Sequence, residues 1–278
     1  MDRNQRPIWV VGAFILDLMK GLESDKMGHL CFFPLDQPLI NIPTSFQITG
    51  IDLPSPLSMK AVSSLQERLE GLNGLNHNFG LGLGSEGPAI GKMFGVLVVE
   101  HPTLGLGYLS AFSGKIGNSN EHLGFVPPIF DSLDESSFLN QGMRELGTIN
   151  ERIRELQDSG KADRSILDSL KNHRKEHSKQ LQQRLFDQYH FLNILGESKS
   201  LSEIFKVIGA KNPPTAAGEC AAPKLLDHAF KHGQRPIALV EFWWGASSRS
   251  EACVHKQFYA PCKDKCGPIL EHMLKGLT

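Results

Sequence analysis

Three cysteines stand where thiols could do chemistry. Cys220 lies in "GECAAPKLLDHAF" (218–230), and Cys262 and Cys266 lie in "YAPCKDKCGPILEHML" (259–274). Both strings read as helix starts, because Pro223 and Pro268 fit a helix only in its first turn. A helix start concentrates positive potential from unpaired N–H groups. That potential lowers a thiol's pKa and favours the thiolate that a metal needs. Three thiolates from two adjacent helix starts would hold zinc and leave a fourth position open. His255 and His272 are possible fourth ligands. The competing reading is free cysteines buried in a core, and it is the preferred one for Cys31 and Cys253. Five cysteines is an odd number. It argues against a complete disulfide framework and for a reducing compartment, so the expected location is the cytoplasm.

The elements that must carry these thiols follow from patterning. "SPLSMKAVSSLQERLEGL" predicts a helix over 57–71, capped by Ser55 or Ser58 and stopped at Gly71 and Gly74. "KMFGVLVVE" and "LGYLSAFSG", joined by "HPTLG", predict an antiparallel hairpin of 92–99 with 106–113. "GPAIGK" has the wrong spacing for a phosphate loop and precedes a strand rather than a helix. "RPIALVEFWWG" is a buried strand, and "SLSEIFKVIG" a short helix. Residues 31–56 are rich in proline and extended. From 141 to 195 the chain turns polar and helix-favouring. Leu146, Ile149, Ile153 and Leu156 form one stripe; Ile166, Leu167, Leu170, Leu181, Leu185 and Leu192 form another; "DSGKAD" separates them. This predicts an inserted αα-hairpin.

The formal net charge of −1 creates no global attraction for nucleic acid or membrane. The N-terminal run "IWVVGAFILDLM" contains Asp17 and has an apolar core of about ten residues, too short to span a bilayer. It reads as a buried or partner-covered segment, and residues 1–30 stand apart from the domain expected over 31–278. No membrane association is expected.

Without the hairpin the order is helix, strand, strand, helix, strand, helix, with cysteines starting the last two helices. This resembles the zinc-dependent nucleoside and nucleobase deaminase fold. There a His-x-Glu or Cys-x-Glu helix start faces a Pro-Cys-x-x-Cys helix start. The resemblance implies an α/β fold with a deaminase-like mixed sheet flanked by helices, and a zinc centre. The counterparts are "CAA" at 220–222 and "PCKDKC" at 261–266. The family's glutamate position is Ala222, and the cysteine pair is spaced by three residues instead of two. A residual hydrolase would have to use Glu219 or Glu241 as its proton shuttle.

A second resemblance lies closer in sequence. The strings "PPTAAGECAAPKLLDHAFKHGQRPIALVEFWWGASSRSE" and "FYAPCKDKCGPILEHMLKGL" are similar to the long N-terminal region of certain bacterial RluA-type RNA pseudouridine synthases. "GKMFGVLVV", "LSAFSGKIGNSN", "FVPPIFD" and "INERIREL" match that region in the same order, so the resemblance covers about 31–278. It implies uridine isomerisation in tRNA or ribosomal RNA without a metal or organic cofactor. The family's catalytic aspartate sits in an Arg-Leu-Asp motif. The nearest string here is "RLE" at 68–70, and the chain ends about where the catalytic domain would begin. The expectation is therefore an accessory domain, not itself catalytic, serving a pseudouridine synthase domain in cis or in trans.

RNA contact has its own signal. Lys171, His173, Arg174, Lys175, His177, Lys179 and Arg184 fall within about four turns, with Glu176 the one acid among them. Such a face can bind phosphates, although charge runs are also solvated coiled-coil faces. The expected RNA-binding residues are Lys171, Arg174, Lys175, Lys179 and Arg184. In "EFWWG", Phe242, Trp243 and Trp244 alternate sides of a strand, so an outward Trp could stack on a base, against the alternative of core packing. The remaining possibility is a structural module whose hairpin docks a partner.

Overall fold

The computed structural model describes residues 30–35, 42–50, 53–72, 75–82, 87–134, 136–159, 163–248 and 252–277. In chain order these form β1 (Phe32–Pro34), β2 (Gln47–Thr49), α1 (Pro56–Gly71), β3 (Lys92–His101), β4 (Gly105–Phe112), α2 (Phe138–Asp158), α3 (Arg164–Gln188), β5 (His190–Leu192), β6 (Ser198–Ser200), α4 (Leu201–Val207), α5 (Ala221–Lys231), β7 (Arg235–Trp244), β8 (Phe258–Tyr259) and α6 (Gly267–Met273). The N-terminal apolar run at 8–19 lies outside the described residues.

The protein is α/β. Six strands make one mixed sheet in the order β1-β4-β3-β7-β2, with β8 also paired to β7. β3 pairs antiparallel with β4 and with β7, while β2 joins β7 in parallel. β3 and β7 are central because their runs of branched and aromatic residues can be buried on both faces. Alternation then sorts the side chains. Phe94, Val96, Val98, Val240, Phe242 and Trp244 pack with α1 through Leu57, Ala61, Val62, Leu65 and Leu69. Leu97, Val99 and Leu239 face the other way, against α5, α4 and α6. Helix α5 is buried on nearly every side.

The predicted helix at 57–71 is α1, started by Ser55, whose Oγ accepts the Ser58 N–H at 3.2 Å. The predicted 92–113 hairpin extends to His101 paired with Gly105. The helical hairpin is present between β4 and α5, but α3 ends at Gln188 rather than near 195. Beyond it the chain makes a second small sheet, β5 with β6. Asn193 Oδ1 accepts the N–H groups of Leu195 and Glu197, and Gly196 supplies a φ of 82°, so turn chemistry outcompetes helix propensity there. The stripes also pack less completely than periodicity predicts. Ile153 and Leu181 are buried, Ile166 is exposed, and Leu192 sits in β5 instead of a helix. Gly142 gives α3 close access to α2, since a Cβ there would meet Leu181 Cδ1 at 2.5 Å. No described helix is long and apolar enough to cross a membrane.

Candidate metal centre

Cys220 is the N-cap of α5, and its side chain makes no capping hydrogen bond, so the sulfur is not committed to the helix. The chain reaches it through Gly218, at a φ of 92°, where a Cβ would meet Tyr189 Cδ1 at 2.9 Å. Gly95 on β3 permits the helix start to lie on the sheet: a Cβ there would meet Ala221 Cβ and Leu225 Cδ1, each at 3.0 Å. On the other side of the centre, the Cys262 carbonyl accepts the N–H groups of Cys266 (3.2 Å) and Gly267 (3.0 Å). This turn folds Cys262 back over Cys266, the N-cap of α6.

The sulfurs of Cys220, Cys262 and Cys266 all lie within 4.8 Å of one another, and Cys262 Sγ is 3.4 Å from Cys266 Sγ. Cys266 is buried, Cys220 half-buried and Cys262 exposed. Hydrogen bonding from Cys220 and then Cys266 holds Cys262 far below the ordinary thiol range. The same contacts push Cys220 up to about 12, chiefly through Cys262, and drive Cys266 strongly upward. The set therefore stabilises a thiolate at Cys262, and a metal ion would displace the remaining protons. These three residues could hold a metal ion.

Glu241, from β7, is buried beside the cluster, and its Oε1 accepts the Ala222 N–H at 3.1 Å. Burial pushes its carboxyl up to about 7; the Ala222 N–H opposes that and the Cys262 charge adds to it. The Glu241 charge in turn raises Cys220 and Cys266. Glu219 is engaged elsewhere. Its Oε1 accepts the Tyr189 hydroxyl, and its Oε2 lies 3.7 Å from Lys224 Nζ. Lys224 is 2% exposed and donates to the carbonyls of Phe112 (3.2 Å) and Gly114 (3.3 Å). Burial lowers its pKa, while Glu219 and then Cys220 favour its charge.

Neither histidine joins the cluster. His255 Nδ1 accepts the Gly245 N–H and the ring sits against Trp244, while His272 Nε2 is bonded to the Phe191 carbonyl at 3.0 Å. Cys31 is a core thiol, donating to the Phe125 carbonyl, and burial pushes it up to about 11. Cys253 is not: it is half-exposed, with its N–H on Ser247 Oγ. Its neighbours Ala252 and Val254 are exposed, so the segment lies at the surface and gives the thiol no core to enter. Phe242 and Trp244 are buried, and Trp243 is tied by Nε1 to the Ala246 carbonyl, so the aromatic trio serves packing.

On α3, Lys171, Arg174, Lys175 and Lys179 are exposed. Helical geometry puts the four within an arc of about 140°. Arg174 Nη1 reaches Asn150 of α2 at 3.3 Å, and Lys179 pairs with Glu176 at 3.7 Å. Arg184 lies apart, its guanidinium 4.5 Å over the Phe138 ring. Lys224, Tyr189 and Gly95 are the site-building residues that sequence reasoning overlooked. Lys224 shares its helix with Asp227, His228 and Lys231, so its burial has no local signature. No family model matches the chain, and neither a curated protein nor a solved structure matches it.

Proposed function

We infer that the chain is an accessory, RNA-contacting region of an RluA-type pseudouridine synthase, built around a zinc centre held by Cys220, Cys262 and Cys266. The convergence of the three sulfurs carries the metal reading. A tetrahedral zinc with Zn–S bonds of about 2.3 Å spaces its sulfurs about 3.8 Å apart, within the observed spread. Soft thiolates select zinc among common intracellular divalent ions. Zinc with three thiolates carries one net negative charge, and the buried Lys224, which also faces Glu219, places a positive charge near Cys220. The deaminase-like fold is supported by the core order α1, β3, β4, α5, β7, α6, with cysteines at the starts of α5 and α6. RNA contact is supported by the α3 stripe of Lys171, Arg174, Lys175 and Lys179. Isomerisation belongs to a catalytic domain in cis or in trans, since this chain contains no Arg-Leu-Asp. The reducing cytoplasm suits the free thiols.

The test is metal analysis of the purified chain together with tRNA binding across a salt series. One zinc per chain and binding that weakens steeply with salt are expected. A zinc-free protein, with tRNA affinity unchanged by charge reversal on α3, would leave only a structural module.

A second reading is favoured by Glu241. Its carboxylate lies beside the three thiols, whereas the family's own glutamate position is Ala222. Zinc would supply Lewis acidity at its fourth position. Glu241 would hold and release a proton there, fixed by the Ala222 N–H and shielded from water by its burial. Ammonia release from cytidine or adenosine by the zinc-loaded chain, lost in Glu241→Gln, would establish a deaminase-like hydrolase.

A further inference from the structure

A cleft of 330 Å³ lies between the helical hairpin and the sheet. Its walls are Leu133, Leu139 at the start of α2, Leu185 and Phe186 at the end of α3, and Tyr189. Its polar lining is Glu219, Ser132 and Asn120, whose amide donates to Asp131 Oδ1 at 3.0 Å, together with the exposed Lys115. Ala216, also in the lining, has a φ of 61°, a left-handed backbone that non-glycine residues seldom adopt and that concentrates at ligand sites.

We propose that this cleft takes one nucleotide of the bound RNA, with the base between the apolar walls, its N–H edge on Glu219 and its phosphate at Lys115. The proposal rests on the RNA-contacting reading and names a site within it. The volume is at the small end for ligand cavities, matching a single nucleotide rather than a larger ligand. Single-stranded RNA is recognised by bases splayed into such places and read along their polar edges. Glu219 accepts from Tyr189 and faces Lys224, which uses one lone pair on each oxygen. A carboxylate has about four acceptor positions, so roughly two remain for N–H donors. Guanine, adenine and cytosine present amino groups to such an acceptor. Uracil presents one N–H flanked by carbonyls, which a carboxylate repels. The cleft therefore selects against uridine.

The experiment is calorimetric titration of the zinc-loaded full chain with GMP, AMP, CMP and UMP. The first three should bind at least about tenfold more tightly than UMP, the discrimination that one charged hydrogen bond supports. Glu219→Gln should erase that preference, because its amide can donate to the uracil carbonyls; a merely structural role would not change base choice. Lys115→Ala should weaken the nucleotides and leave the nucleosides unchanged. Leu139→Trp fills the cleft from the hairpin side, away from the metal ligands, and should abolish binding. Near-ultraviolet circular dichroism checks that each variant is folded. No nucleotide binding, or binding indifferent to Leu139→Trp, overturns the proposal, while tRNA affinity and its dependence on Lys171 and Lys175 judge the RNA reading separately. Nucleotide binding that obeys the cleft variants in a chain without tRNA affinity keeps the site and removes the RNA reading.

Discussion

The Oε1 of Glu241 accepts the backbone N–H of Ala222 at 3.1 Å. A carboxylate from a central strand thereby satisfies an N–H in the first turn of the helix that Cys220 begins. The bond ties strand β7 to the thiol centre and keeps a titratable group beside three sulfurs. Its energetics can be read from stability as well as from chemistry.

Glu241 should make the metal-free protein less stable as pH rises. Its folded carboxyl is pushed up to about 7 from an ordinary 4.5. A raised carboxyl pKa gives stability that is fully present below the unfolded value and lost as pH climbs through the folded one. The window is therefore about pH 4.5 to 7, and the loss is roughly 3 kcal/mol. Cys262, held far down, slopes the opposite way across the same range. The difference between wild type and Glu241→Gln in urea melts isolates the glutamate. A difference that stays flat from pH 4 to 8 would refute its buried setting. Glu241→Ala should cost roughly 1–3 kcal/mol, because it strands the Ala222 N–H.

Serine at Cys220, Cys262 or Cys266 should reduce zinc affinity beyond the roughly 10–100-fold that loss of an outer partner costs. Lys224→Met should fall within that 10–100-fold range by removing a buried positive charge near Cys220. Competition with a chromogenic chelator measures all four variants. Equal affinity in Cys266→Ser and wild type would remove the metal centre.

Gly95→Ala should destabilise the fold by about 1–3 kcal/mol, since its methyl would meet Ala221 and Leu225 at 3.0 Å and lift the start of α5. Zinc affinity should fall with it, because Cys220 moves with that helix. Chemical denaturation and chelator competition on the same sample test the coupling; lost stability with unchanged affinity would disprove it.

Charge reversal at Lys171 and Lys175 should weaken tRNA binding and reduce the magnitude of the salt slope by about one per lost phosphate contact. Arg184→Ala should weaken it less, since that guanidinium rests on Phe138. Filter binding at several salt concentrations separates the two outcomes.

Much of the architecture is readable from local chemistry. Ser55 and Pro56 start α1, the β-rich runs at 92–101 and 105–112 make their hairpin, and the prolines at 223 and 268 mark helix starts. These features depend on propensity and spacing over a few residues. The end of α3 was not readable, because the helix-favouring run continues past Gln188 and only the Asn193–Gly196 turn and β6 draw the chain into a sheet.

The thiols at 220, 262 and 266, the alanine at 222 and the basic run of 171–184 are properties of the sequence alone. Residue type determines which atoms can ligate, titrate or carry charge. Tertiary structure decided which of them meet. It brought three sulfurs together, turned His255 and His272 to other partners, set Glu241 beside the thiols and locked Glu219 to Tyr189 and Lys224. Those outcomes depend on α5 lying against β3 over Gly95 and on the turn at 262–267. The turn is local and pairs Cys262 with Cys266, whereas the seat on Gly95 brings together residues far apart along the chain, and packing between distant segments has no local signature.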